Sequence, residues 1–180
     1  MHPNIIFFLI DGLRADQVYG NNRTCKTPNI DSLIQNGMYF EQAVSSVDGT
    51  IVSLNTIFNL NFQVGNSARN KKIVLNENNL IDILKKHGYH IYGTFPNFTS
   101  FNSLRERFEN ENNSYDWIKP NIPPVSLPTG LATKIIQLLE SKEKQEPYFC
   151  YFHIFDLHPL REGRKPIGFE DFDNEKFGSS

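Results

Sequence analysis

Ile5-Ile6-Phe7-Phe8-Leu9-Ile10 form an unbroken apolar run after Asn4 that stops at Asp11-Gly12. The run alternates poorly and is rich in Ile and Phe, which suits a strand buried on both faces of a parallel sheet. Residues 12–26 are polar and read as loop with at most a short helix. The period then changes. Ile30, Leu33 and Ile34 fall at helical spacing behind Pro28, a residue tolerated in a first helical turn, and Gly37 ends the pattern, so a short helix is predicted over 29–36. Residues 38–44 read as a strand closed by Ser45-Ser46. Ile51, Leu54, Ile57 and Phe58 share one face of a helix over 50–60, with Asp48 or Gly49 as its cap.

Further along, Leu80, Ile83 and Leu84 mark a helix over 79–86 that ends at Gly88 and gives way to a strand, Tyr89-His90-Ile91-Tyr92-Gly93-Thr94. Residues 98–124 are aromatic, acidic and Asn-rich without sustained periodicity, and are expected to form a surface excursion with a short helix near 103–108. Leu131, Ile135, Leu138 and Leu139 set the inner face of the longest predicted helix, 127–142, and a strand over 148–155 follows. Strand and helix in alternation predict an α/β fold, a mostly parallel sheet with helices on both faces.

A chain of 180 residues is long enough for one domain with a substantial core. Its 18 basic and 20 acidic side chains leave a net charge of −2 with the signs interspersed. That balance argues against a nucleic-acid partner, which requires a basic face or stripe. Cys25 and Cys150 lack ligand-type spacing, and nothing ahead of Asn4 resembles a signal peptide, so a reduced, cytoplasmic location is expected. No apolar run approaches the ~20 residues of a membrane span.

Two positions carry candidate chemistry. Asp11 stands at the C-terminal tip of the first strand, the edge at which open α/β sheets place their sites; the alternative is an ordinary strand-ending turn with a solvated acid. As a hard oxygen donor it suits Ca²⁺, Mg²⁺ or Mn²⁺ and accepts Zn²⁺. Thr50 opens a helix, where the positive end of the dipole favours an anion; the alternative is a plain helix-start residue. His153 lies inside the last strand pattern and reads as a packed or hydrogen-bonded core histidine. Asp156 reads as a turn cap.

Four segments in order resemble the sulfatase family of the alkaline phosphatase superfamily: the strand ending at Asp11, Thr27-Pro28-Asn29-Ile30-Asp31-Ser32-Leu33, Phe40-Glu41-Gln42-Ala43, and the strand running into Asp156-Leu157-His158-Pro159. The resemblance implies an alkaline phosphatase/sulfatase-like α/β fold, of which residues 1–180 form a single incomplete, N-terminal portion. The family's further metal ligands come from a later segment, so the 180 residues alone are expected to be inactive. It implies Asp11 as a metal ligand, a divalent cofactor (Ca, Mn, Mg or Zn), and a small anionic ester as substrate. The family nucleophile lies ten residues after the Phe of "F-x-x-A", which is Thr50 here, both nucleophile and metal ligand. His158 matches a substrate-contacting His, and Asn97 stands where the family's "G-K-W-H" strand end supplies anion contacts.

The departures from the family pattern share a direction. Thr50-Ile51-Val52-Ser53-Leu54 replaces "C/S-x-P-S-R", and Thr cannot become formylglycine. Gly12 replaces a second Asp, as in the phosphodiesterase-type members. The resemblance therefore implies a metal-dependent hydrolase or transferase of sulfate or phosphate esters, phosphorus being favoured. The alternative is a degenerate or truncated, catalytically inactive relative.

Overall fold

A computed structural model describes residues 2–21, 23–61, 71–116 and 130–157. In chain order the elements are β1 (Ile5–Ile10), α1 (Ala15–Val18), α2 (Pro28–Asn36), α3 (Thr50–Asn59), α4 (Leu80–Lys86), β2 (His90–Pro96), a 3₁₀ turn (Thr99–Phe101), α5 (Asn102–Arg105), β3 (Ser114–Tyr115), α6 (Ala132–Glu140) and β4 (Tyr148–Ile154). The four strands form one sheet in the order β1-β4-β2-β3. Every pairing is parallel, with Ile5 opposite Phe149 and Ile10 opposite Ile154 at the two ends of the β1–β4 ladder. All C-termini of the strands therefore lie at one edge. Asn4 fixes the opposite end: its amide donates to Glu146 at 2.8 Å and its oxygen accepts from the Tyr148 backbone N–H at 3.0 Å.

Side chains alternate across the sheet and build two cores. On one face Phe149, Tyr151, Ile91 and Phe95 pack against Leu54 and Phe58 of α3 and Ile81 of α4. On the other, Tyr92, Cys150 and Phe152 pack against Leu131 and against Ile135 of α6. Helices thus cover both faces, the arrangement that a parallel sheet needs to bury its apolar residues. The segment 98–116 differs from the expected surface excursion, because Phe101, Leu104 and Phe108 are buried in the first core. Of the helix predicted over 127–142, residues 127–129 lie outside the described residues; Ala132–Glu140 is helical.

Two strand expectations need correction. Residues 38–44 form no strand: Met38, Phe40 and Val44 are 81, 70 and 90% exposed, and no ladder pairs them. An alternating pattern is only a local signal, whereas a strand is held by a hydrogen-bonded neighbour. β1 is also not buried on both faces. It lies at the sheet edge, paired only with β4 among the described residues, and Ile6 and Phe8 on its second face are 45 and 49% exposed. Phe8 packs on Phe152 with ring centroids 5.1 Å apart, which shields part of it.

Candidate active site

The β1 ladder carries one residue past its end, for the Asp11 N–H donates to the Ile154 carbonyl at 2.9 Å. Asp11 is therefore anchored by backbone to the sheet's C-terminal edge. Thr50 reaches the same place from the helical layer. Leu54 and Phe58, one and two turns along α3, are fully buried, and Phe58 meets Tyr151 edge-on at 5.3 Å. Asn55 and Asn59 tie the helix laterally to residues 72–76. Ahead of it Gly49, at φ +99°, turns the chain sharply, a conformation that L side chains rarely adopt.

These anchors bring the Thr50 hydroxyl to 2.7 Å from Asp11 Oδ2, to which it donates. The carboxylate thus meets the first residue of α3, the end of a helix at which negative charge is favoured. Two hard oxygen donors thus converge from residues 39 positions apart in sequence. They fit two positions in the shell of a hard divalent cation, which takes six or more oxygens. Among the described residues, no group of three or more His, Cys, Asp or Glu is arranged to hold a metal.

His153 adds a third group. It faces the same side of the sheet as Asp11, because Leu9 and His153 are register partners and Asp11 follows Leu9 by two. Its Nε2 lies 3.7 Å from Asp11 Oδ2, and its Nδ1 shares a 2.7 Å hydrogen bond with the Tyr151 hydroxyl. The ring is 1% exposed, in line with the core placement expected from the strand pattern. Tyr115 donates to the His153 carbonyl at 2.8 Å. Burial pushes the Tyr115 phenol well above its ordinary range, and the nearby Asp156 and Asp11 charges push the same way. Asp156, 6% exposed just past β4, puts a second carboxyl group at this edge.

Of the remaining sequence candidates, Asn97 is among the described residues and is not hydrogen-bonded to this pair. Asn97 follows β2 at the same edge, two strands from β1, or ~10 Å across the sheet. Its amide donates to Asp116 at 2.9 Å and its oxygen accepts from Arg105 at 2.5 Å. His158 lies outside the described residues. A polar groove lined by Thr94, Glu111, Lys134 and Gln137 belongs to the α6 face, behind the sheet from Asp11.

Residues 3–176 match the family model described as Sulfatase. The chain belongs to the sulfatase family. Its all-parallel sheet sandwiched between helices is the α/β architecture of an alkaline phosphatase/sulfatase-like domain, and the family is one of ester hydrolases that generally depend on metal. No curated protein and no solved structure matches the chain. Among the described residues no helix is long and apolar enough to cross a membrane. For this sulfatase-family chain the residue that the sequence reading passed over is Tyr151, whose buried hydroxyl is hydrogen-bonded to His153. The two-residue spacing Tyr151-x-His153 on β4 was the available signal, since it places both rings on one face.

Proposed function

We propose that this sulfatase-family protein is a metal-dependent hydrolase or transferase of phosphate esters, with sulfate esters as poorer substrates, and that Thr50 is its nucleophile. The observation that carries the reading is the 2.7 Å contact between Thr50 Oγ1 and Asp11 Oδ2 at the start of α3. A divalent cation held by Asp11 and Thr50 would lower the cost of forming the Thr50 alkoxide and offset charge on the ester.

The chain's own groups supply the rest. Asp11 fixes the hydroxyl oxygen at the N-terminal end of α3, so an anionic ester approaching it meets a positive dipole. Attack by Oγ1 on phosphorus forms the Thr50–phosphoryl bond and breaks the bond to the leaving alcohol, which departs carrying the proton that Thr50 gives up. Attack by water, or by a second alcohol in a transferase, then frees Thr50. Thr50 has no route to the aldehyde hydrate of formylglycine enzymes, which is why phosphorus is favoured over sulfur. His158 and Asn97 are retained as substrate contacts in this proposal, and the described ligand set is completed by donors other than Asp11 and Thr50.

The test is an assay of the protein with aryl phosphomonoester, phosphodiester and sulfate substrates in Mn²⁺, Zn²⁺ or Ca²⁺. Thr50→Ala is expected to lose at least ~100-fold in turnover while costing on the order of 1 kcal/mol of stability, the worth of one hydrogen bond. Unchanged turnover would remove Thr50 as nucleophile. Sulfate hydrolysis outrunning phosphate hydrolysis would reverse the preference. A second reading, an inactive family member, is favoured by the pairing of Asn97 with Asp116 and Arg105, which occupies a side chain proposed to meet the substrate. No turnover of any ester class would select it.

A further inference from the structure

We infer that His153 is a positioning residue for Asp11, held by Tyr151 as the tautomer that carries its proton on Nε2, and that it is not itself a metal ligand. The inference deepens the metal-ester reading above and rests on it for the role assigned to Asp11.

Tyr151 is fully buried in the first core, and burial holds its phenol in the protonated form. A buried O–H requires an acceptor. Among the described residues the partner of that hydroxyl is His153 Nδ1, at 2.7 Å. If Nδ1 accepts, the proton of the neutral ring resides on Nε2. That atom is buried, makes no hydrogen bond among the described residues, and lies 3.7 Å from Asp11 Oδ2, the same oxygen to which Thr50 donates. At that separation the N–H acts on the carboxylate through its dipole, and a shift of under ~1 Å makes a full hydrogen bond.

The ring has little freedom to do otherwise. Phe101 meets it edge-on at 5.2 Å and 86°, and Tyr115 holds the His153 carbonyl. With Nδ1 committed to Tyr151 and Nε2 protonated, neither nitrogen has a lone pair to offer a cation. The row Tyr151, His153, Asp11, Thr50 therefore runs from the core to the reactive hydroxyl, each member orienting the next.

Nitrogen NMR of the intact chain with ¹⁵N-labelled histidine, recorded at pH 8 with and without saturating Mg²⁺, reads the tautomer directly. The expected spectrum shows His153 with a bare Nδ1 and a protonated Nε2, unchanged by Mg²⁺. Tyr151→Phe, which keeps the ring and removes one oxygen, is expected to mix the two tautomers and to weaken Mg²⁺ binding ~10-fold by calorimetry. A protonated Nδ1 in the unliganded chain overturns the proposal, and so does loss of the Nε2 proton on adding Mg²⁺, which would make His153 a ligand. If Tyr151→Phe does not fold, the wild-type spectra decide alone. Failure to turn over esters leaves the tautomer result standing, and a wrong tautomer leaves the Thr50→Ala assay untouched.

Discussion

At Gly93 a Cβ would stand 2.2 Å from the Tyr151 carbonyl oxygen and 2.6 Å from Phe108 Cε1. The first neighbour is backbone of the central strand, which has no room to retreat. Asn110 further clamps the position, accepting from the Gly93 N–H at 3.0 Å and donating to its carbonyl at 2.8 Å. Gly93→Ala is therefore expected to destabilise the fold by at least ~3 kcal/mol, more than ordinary overpacking, as read from urea unfolding midpoints. A loss under ~1 kcal/mol would show that β2 and β4 can part locally. The sequence hinted at Asp11 and Thr50 because each ends or opens an element, a property visible in one dimension. It gave His153 only a core role, since the nearness of its Nε2 to Asp11 depends on which strands are neighbours. That β4 lies between β1 and β2 is a property of the sheet order, invisible in any local pattern.

Among the elements, α3 shows how polar residues can hold a helix whose tip must be accurate. Asn55, 3% exposed, donates to the Lys72 carbonyl at 3.1 Å and accepts from the Val74 N–H at 2.8 Å. Asn59, one turn later, repeats the pattern with Val74 and Asn76 closer to solvent. Truncating Asn55 to Ala leaves two part-buried backbone groups short of a partner beneath the helix, at an expected cost of about 1–3 kcal/mol. At Asn59 water replaces the lost bonds, so Asn59→Ala is expected to cost under ~1 kcal/mol. Calorimetric melting of the two variants checks the ranking, and equal losses would refute it. Helix spacing made α2, α3 and α4 legible to within a residue or two. Strand patterning failed at 38–44, where the pairing it presupposes does not form, and it over-buried β1, on whose second face Ile6 and Phe8 stay about half exposed. The clamp on α3 was illegible because Asn at i and i+4 reads equally as a solvated face.

Taken as a whole, the molecule encloses several proton-bearing groups that ionise only at high pH. Burial raises the Cys150 thiol from 9.0 to about 11 and outweighs the opposing influence of Lys144. It also raises Tyr115 and Tyr151 above the ordinary phenol value of 10.0. The sign follows from linkage. Below pH 9 both folded and unfolded chains hold these protons, and the groups contribute no slope. As pH rises past 9.0 and then 10.0 the unfolded chain releases them while the native chain keeps them, so unfolding becomes progressively easier. Lys134 pulls the other way, since burial lowers it despite the nearby Asp116, yet it is one group against several. Melting temperature is therefore expected to change little with these groups between pH 7 and 8.5 and to fall steadily from pH 9 to 11. Cys150→Ala should flatten the early part of that fall and Tyr151→Phe the later part, even where each lowers the starting temperature. A melting temperature level through pH 10.5, or slopes unchanged in both variants, would mean that water reaches the face between β4 and its helices, and the two-sided burial of the sheet would have to be abandoned.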